Sequence, residues 1–393
     1  MGARADHPRQ SSHFHSVMSV NVVAIPHEPK PLKKFVRFGI DLYSQSPYFV
    51  PPLIFDEVET LMPDKNPAFE YCDAQAFMAY RDGKPVGRIA VIINNVVNER
   101  SGKKEARFGF VDFVDDAEVS AALFAAAEDW ARQHGMSEMI GPMGFTDMDH
   151  EGMLVDGFDE MGTMATIYNY PYYPEHLSRL GYVKDVDWVE YRVDVPSEVP
   201  EKFKRISNIV REKYGLRSIK FTSRKKLKEQ YGQPLFDLIN EAYDKLYGYS
   251  PLTQRQIDYY IKKYLDILRL DCLSVIVDGA GELVALGISI PSLSAALRKS
   301  KGRLFPFGWY HLLRSIYGKN DTVDLMLIAV KAEYMNRGVN ALIFDDLIPV
   351  YNAHGFRVAE SNLELEGNDS VRLQWQYFPH RQHRRRRAFR KDI

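Results

Sequence analysis

The spacing of hydrophobic positions changes several times along the chain, and each change marks an element. Leu32, Phe35, Val36, Ile40 and Tyr43 recur at helical spacing and predict an amphipathic helix over 31–46. The Pro-broken stretch YFVPPLIFDEVETLMPDKNPAF that follows reads as irregular. Residues 74–80 and 86–93 flank Asp82-Gly83 and predict a β-hairpin. A strand over 107–114 gives way to a helix over 117–134, with Val119, Leu123, Ala126, Ala127 and Trp130 on one face and Gly135 as its stop. A short strand at 138–140 leads into a loop rich in Gly, Asp and Met that runs to about Thr166. A helix over 171–180 and a strand over 188–193 complete this half.

The stretch DVPSEVPEKF interrupts the pattern, and the order then begins again. Helices are expected at 203–214, 227–246 and within 253–268, then a second hairpin at 273–277 and 283–290. VDLMLIAV, residues 323–330, is apolar almost throughout, as in a strand buried on both faces. A helix over 339–353 ends at Gly355, and Pro349 inside it should kink or shorten it. A strand at 356–361, a helix over 369–378 and a closing strand at 385–390 finish the chain. Each half reads helix, hairpin, strand, helix, strand, helix, strand, which predicts two similar domains from a duplication. A hairpin ahead of one strand–helix–strand unit excludes a doubly wound fold. It predicts an α/β (mixed α+β) chain, each half a mixed, mainly antiparallel, splayed sheet flanked by helices. The expected divisions are a disordered leader at 1–19, a first domain at 20–195 and a second at 196–393.

Composition narrows the class. Lys+Arg total 51 and Asp+Glu 52 in 393 residues, a net charge of −1, which excludes a bulk polycation that coats nucleic acid. No apolar run approaches the ~18 residues of a membrane-spanning helix, so no membrane partner is expected. Cys72 and Cys272 form no C-x-x-C pair, which points to a reducing cytoplasm. His7, His13 and His15 in the leader read as solvated, and no zinc-ligand spacing, P-loop or Ser-His-Asp arrangement appears, so no metal is expected.

The segment AVKAEYMNRGVNALIF, residues 329–344, runs from the buried strand through a short loop into a helix. Main-chain N–H groups at such a junction converge with partial positive charge and suit a diphosphate, and Gly338 lets backbone approach it closely. The segment resembles the cofactor loop of the GNAT acyltransferase superfamily, Val-x-Pro-x-Tyr-Arg-Gly-x-Gly-x-Gly. Val330, Tyr334, Gly338 and Val339 match; Ala332, Met335, Asn336 and Asn340 replace the pattern's Pro, Arg, first Gly and last Gly. The resemblance implies that Val330, Asn336, Arg337, Gly338, Val339 and Asn340 hold the pyrophosphate of acyl-CoA or acetyl-CoA, with Asn368 matching the superfamily's later Asn. Trp375 stands where the superfamily often has its Tyr general acid, and Tyr377 is a possible substitute. In the first half, YNYPYYPEHLSRLGYVK is similar to the same helix, yet Asp115 and Asp116 would repel a diphosphate. That half reads as a degenerate copy. The chain most resembles the tandem members of the superfamily.

Other segments add candidates. The loop 144–160 carries Asp147, Asp149, His150 and Glu151 and reads either as a substrate loop for an amine or as a solvated acidic loop. The insertion 291–320 carries Trp309 and Tyr310, which could line a substrate pocket; a helical hairpin packed on the sheet is the alternative. The terminal segment HRQHRRRRAFRKDI has a net charge of +6 and reads as an edge strand in preference to an RNA-binding arm. The reading that follows is an acyl-CoA-dependent N-acyltransferase for an unidentified small-molecule amine, with Glu360 or Glu364 as base and Tyr377 as acid. The alternatives are a degenerate tandem module that binds a metabolite or protein, and an aminoacyl transferase that uses aminoacyl-tRNA. The oligomeric state is not legible.

Overall fold

A computed structural model describes residues 19–265, 268–368 and 373–393. The leader, apart from Ser19, and the start of the helix expected over 369–378 lie outside the described residues. The first half contains β1 (Asn21–Ile25), α1 (Pro29–Leu42), α2 (Ile54–Thr60), β2 (Cys72–Arg81), β3 (Lys84–Asn94), α3 (Asn95–Ser101), β4 (Glu105–Phe113), α4 (Ala117–Gln133), β5 (Glu138–Gly141), β6 (Met153–Asp156), α5 (Tyr173–Arg179) and β7 (Val183–Asp194). The second contains α6 (Glu201–Tyr214), β8 (Arg217–Ile219), α7 (Arg224–Tyr243), α8 (Gln254–Tyr264), β9 (Leu273–Val277), β10 (Leu283–Pro291), α9 (Ser294–Ser300), α10 (Gly308–Tyr317), β11 (Thr322–Val330), α11 (Val339–His354), β12 (Val358–Ser361), β13 (Glu364–Leu365) and β14 (His380–Asp392).

Alternation produced the hairpins as expected, with Asp82 and Gly83 both at positive φ in the β2–β3 turn. The irregular stretch holds the short helix α2, and β1 adds an unexpected strand against β2. The helix α11 runs through Pro349 without stopping. It is packed along Leu347, Ile348 and Tyr351, and that burial offsets the one missing backbone bond.

All strands join one mixed sheet in the order β1-β2-β3-β4-β5-β14-β7-β12-β11-β10-β9-β8, with β6 and β13 paired alongside β14 and β7. In each half one strand pair is parallel, and it separates after a few residues. Glu105–Arg107 pair with Glu138–Ile140, and Thr322–Leu325 with Val358–Ser361. The expected splay is present in both halves.

The terminal strand departs from expectation: it is interior, not an edge. β14 pairs with β7 on one side and with β5 and β6 on the other. β7 in turn pairs with β12, so each half is completed by the last strand of the other. The arginines make this placement possible. Arg384 and Arg386 point to one face and are 1% exposed; both bond the carboxylate of Glu190, at 2.7 and 2.5 Å. Arg385 and Arg387 point to the other face and bond Asp187, at 3.1 and 2.7 Å. Burial alone would raise the Asp187 carboxyl, but Arg387, Lys184 and Arg385 bring it down to about 2. The basic run is therefore neutralised inside the fold. The insertion 291–320 is the helical hairpin α9–α10.

Candidate active site

The splay between β11 and β12 opens a cavity of about 990 Å³. Parallel pairing ends at Leu325–Ser361, so β11 from Met326 onward has no strand partner on that side among the described residues. Side chains partly fill the opening: Asn362 Nδ2 donates to the Met326 carbonyl at 3.1 Å and Tyr243 Oη to that of Ile328 at 3.1 Å. The walls are largely apolar, from Leu286, Ile288 and Leu327 on the sheet to Leu235, Phe236 and Ile239 on α7.

The acidic loop enters the same cavity. Asp147, Asp149, His150 and Glu151 all line it. Asp149 Oδ2 accepts from the backbone N–H of Phe145 at 2.8 Å and of Thr146 at 3.1 Å, which folds the loop back on itself. Gly144 permits this, because a Cβ there would stand 2.2 Å from the Asp149 Cβ. Asp147 Oδ2 accepts from Ser250 N–H at 3.1 Å. The buried Arg107 lies beneath and donates to the Gly248 carbonyl at 2.7 Å. No described residue hydrogen-bonds the Glu151 carboxylate. Burial first, and then the charge of Asp147, raise the Glu151 carboxyl well above its ordinary value. Burial likewise raises Asp147 and Asp149. Carboxylates outnumber cations here. At the first-half end of the cavity the carboxylates have a cationic partner, since Arg88 bonds both Asp112 at 2.6 Å and Glu57 at 2.9 Å.

The junction of β11 and α11 forms another wall. Asn336 adopts φ 59° and Gly338 φ 82°, so the chain turns twice through the left-handed region before the helix. No described side chain caps α11, and its first turn holds no acidic residue. Ala341 N–H donates to the Gly338 carbonyl at 3.0 Å, while the N–H groups of Val339 and Asn340 have no intrahelical partner. The matching junction in the first half is closed: Asp116 accepts from Glu118 N–H at 2.9 Å and from Val119 N–H at 3.3 Å. Val330, Asn336, Gly338, Val339, Asn340 and Asn368 line the cavity, and Arg337 turns away over the rings of Tyr214 and Tyr334. Glu364 lines it too. Trp375 Nε1 donates to the two Glu364 oxygens at 2.9 and 3.1 Å, and burial pushes the carboxyl up to about 7.

Known proteins similar to this chain in sequence or in fold supply the frame. The chain is 31% identical over 316 residues to Protein YghO of Escherichia coli (strain K12), covering 79% of each chain. It is 30% identical over 319 residues to the bacterial ceramide synthase of Caulobacter vibrioides (strain NA1000 / CB15N), covering 79% of this chain and 81% of that one. Its fold is similar to a tandem GNAT protein from the clavulanic acid biosynthesis pathway, with a TM-score of 0.55 at 14% identity over 95% of this chain and 98% of that one. The chain belongs to the family of these two bacterial proteins, and its fold is that of tandem GNAT proteins. A GCN5-related N-acetyltransferase from Anabaena variabilis ATCC 29413 aligns with a TM-score of 0.50 at 9% identity, over 95% of this chain and 73% of that one. No protein-family model matches the chain.

Several residues expected at the site from the sequence stand away from the cavity. Glu360 is bound among Arg192 at 3.1 Å, Arg384 at 3.2 Å and His383 at 3.0 Å, on the strand where the two halves meet. Tyr377 bonds Lys202 and packs on Phe203. Trp309 and Tyr310 are 44% and 49% exposed on the outer face of α10. Sequence reasoning passed over Arg107, Tyr243 and Tyr247. The lone Arg in the apolar run EARFGF was the available sign for the first. Tyr243 ends α7 and Tyr247 sits in the turn after it; both line the cavity from the other half and carry no local sign.

Proposed function

We propose that the protein transfers an acyl group from acyl-CoA to the amine of a long-chain substrate, forming an amide. One observation carries this reading: the uncapped start of α11, the Glu364 carboxyl and the acidic loop line the same largely apolar cavity. The N–H groups of Val339 and Asn340 at the start of α11 suit the diphosphate of CoA. The unmatched carboxylates of the acidic loop suit an ammonium group, and the apolar walls suit alkyl chains. A relative named a bacterial ceramide synthase supports the substrate class, because a ceramide is the fatty amide of a long-chain amino alcohol.

The bound ammonium first releases one proton to solvent through the acidic loop, and Glu364 takes a second proton as the resulting amine attacks. The nitrogen forms a bond to the thioester carbonyl carbon, the carbon–sulfur bond breaks, and the proton passes to the departing thiolate. Positioning of the two reactants supplies much of the rate. Purified protein incubated with C2 to C18 acyl-CoAs and a long-chain amino alcohol should yield the amide, read by mass spectrometry, with preference for long acyl chains. Absence of product together with absence of acyl-CoA binding by calorimetry refutes the reading. Binding without turnover leaves a non-catalytic metabolite-binding module.

A further inference from the structure

The hairpin α9–α10 presents an unusual outer face. Fifteen large hydrophobic residues are exposed among those described, and six of them fall here: Phe305, Phe307, Trp309, Tyr310, Leu313 and Tyr317. Phe305 and Phe307 at the tip are 74% and 70% exposed. Folding therefore leaves a contiguous aromatic stretch in water, which a monomeric surface rarely does without a partner. Charge indicates the kind of partner. Residues 292–320 hold six Lys/Arg and no Asp or Glu. Lys299, Lys301, Arg303, Arg314 and Lys319 are exposed and form no ion pair with a described residue. Their charge is thus available to an outside anion.

The inner face of the hairpin explains why it is held in place. Leu293 and Leu297 of the α9 segment and Ile316 of α10 line the cavity, and the Gly302 carbonyl accepts from Ile54 N–H at 2.9 Å. The hairpin is one wall of the cavity on its inside and an aromatic, cationic surface on its outside.

We propose that this face docks on an anionic lipid bilayer, with the aromatic tip at headgroup depth and the cations on lipid phosphates. Aromatic side chains favour that interface, and basic residues near it are attracted to anionic headgroups. No described helix is long and apolar enough to cross a membrane, so the contact is peripheral. It would bring the cavity wall to the surface where long-chain amines reside; that last link rests on the proposed function, while the docking does not.

The test is co-sedimentation of the full chain with vesicles of phosphatidylglycerol and phosphatidylethanolamine, and with vesicles of phosphatidylcholine alone. The protein should partition onto the anionic vesicles about tenfold more strongly, and salt should weaken the binding. The Phe305→Ser/Phe307→Ser and Lys301→Glu/Arg303→Glu variants should each lose about tenfold, whereas Ile209→Ser, an exposed apolar residue on α6, should change nothing. Trp309 emission should shift to the blue on binding, a change missing in Trp309→Phe. These positions are exposed, so an unchanged circular dichroism spectrum separates loss of docking from loss of fold. No partition onto anionic vesicles, or equal partition of all variants, overturns the proposal. So does a wild-type dimer in sedimentation velocity that Phe305→Ser/Phe307→Ser dissolves, which makes the face a contact between copies of this chain.

Discussion

Glu364 and Asn340 are the side chains on which the reaction can be tested most directly. Glu364 is held by one indole N–H and carries a carboxyl pushed up to about 7 by burial. A base must be deprotonated, so the transfer rate should rise with pH through about 7 and level off above it. Glu364→Gln should remove that limb and lower kcat/KM by roughly 10²–10⁴, the range for a lost general base, with acyl-CoA binding retained. Stability moves the other way. The folded carboxyl binds its proton more tightly than the unfolded one, so its contribution is present at low pH and is lost as pH rises from about 4.5 through 7. Glu364→Gln, neutral throughout, should gain melting temperature over the wild type at about pH 8 and not at about pH 4. Asn340→Asp places a charge in the first turn of α11, where a diphosphate would sit. An acid there favours the helix itself, so acyl-CoA affinity should fall about tenfold or more while the melting temperature holds or rises. Gly338→Asp is a poorer probe, because a Cβ there would meet Ile206 at 2.6 Å.

The elements show what local pattern can and cannot announce. The hairpins, the splayed pairs and most helices followed from periodicity and turn residues, because those depend on neighbours in sequence. The α11 junction was legible for the same reason: Asn336 and Gly338 are residues that accept left-handed backbone. The place of β14 was not legible, because it depends on Glu190 and Asp187, nearly two hundred residues away. Four consecutive arginines read as an exposed edge until their partners are known. Nor did the sequence separate Glu360 from Glu364; burial among Arg192, His383 and Arg384 takes the first, and the cavity takes the second. Glu190 is the test at this scale. Arg384 and Arg386 keep its carboxylate charged despite full burial, which by itself would raise it. Glu190→Ala leaves two buried guanidinium groups without their anion and should cost ~3–5 kcal/mol by denaturant unfolding.

At the scale of the whole molecule the two halves are joined by exchange. β7 ends the first half in sequence but pairs with β12 of the second, and β14 ends the second but pairs with β5 of the first. β7 and β14 also pair with each other along ten register positions, so the centre of the sheet contains one strand from each half. The halves differ in chemistry as well: one helix start has no side-chain cap among the described residues and the other is capped by Asp116. Calorimetry should accordingly find one acyl-CoA site per chain. Separation is the stricter test. A fragment 1–195 keeps β7 without β12 and lacks β14, leaving β5 an open edge; a fragment 196–393 keeps β14 without either neighbour and lacks β7. Each would expose apolar sheet and the unpaired ions of the central strands, an arrangement prone to aggregation. Expressed alone, each should be insoluble or lack cooperative unfolding. Expressed together, they should associate into a soluble complex with the unfolding transition of the intact chain, since every strand then finds its partner. A fragment that folds alone with a cooperative transition would show that the exchange is not needed to complete either half.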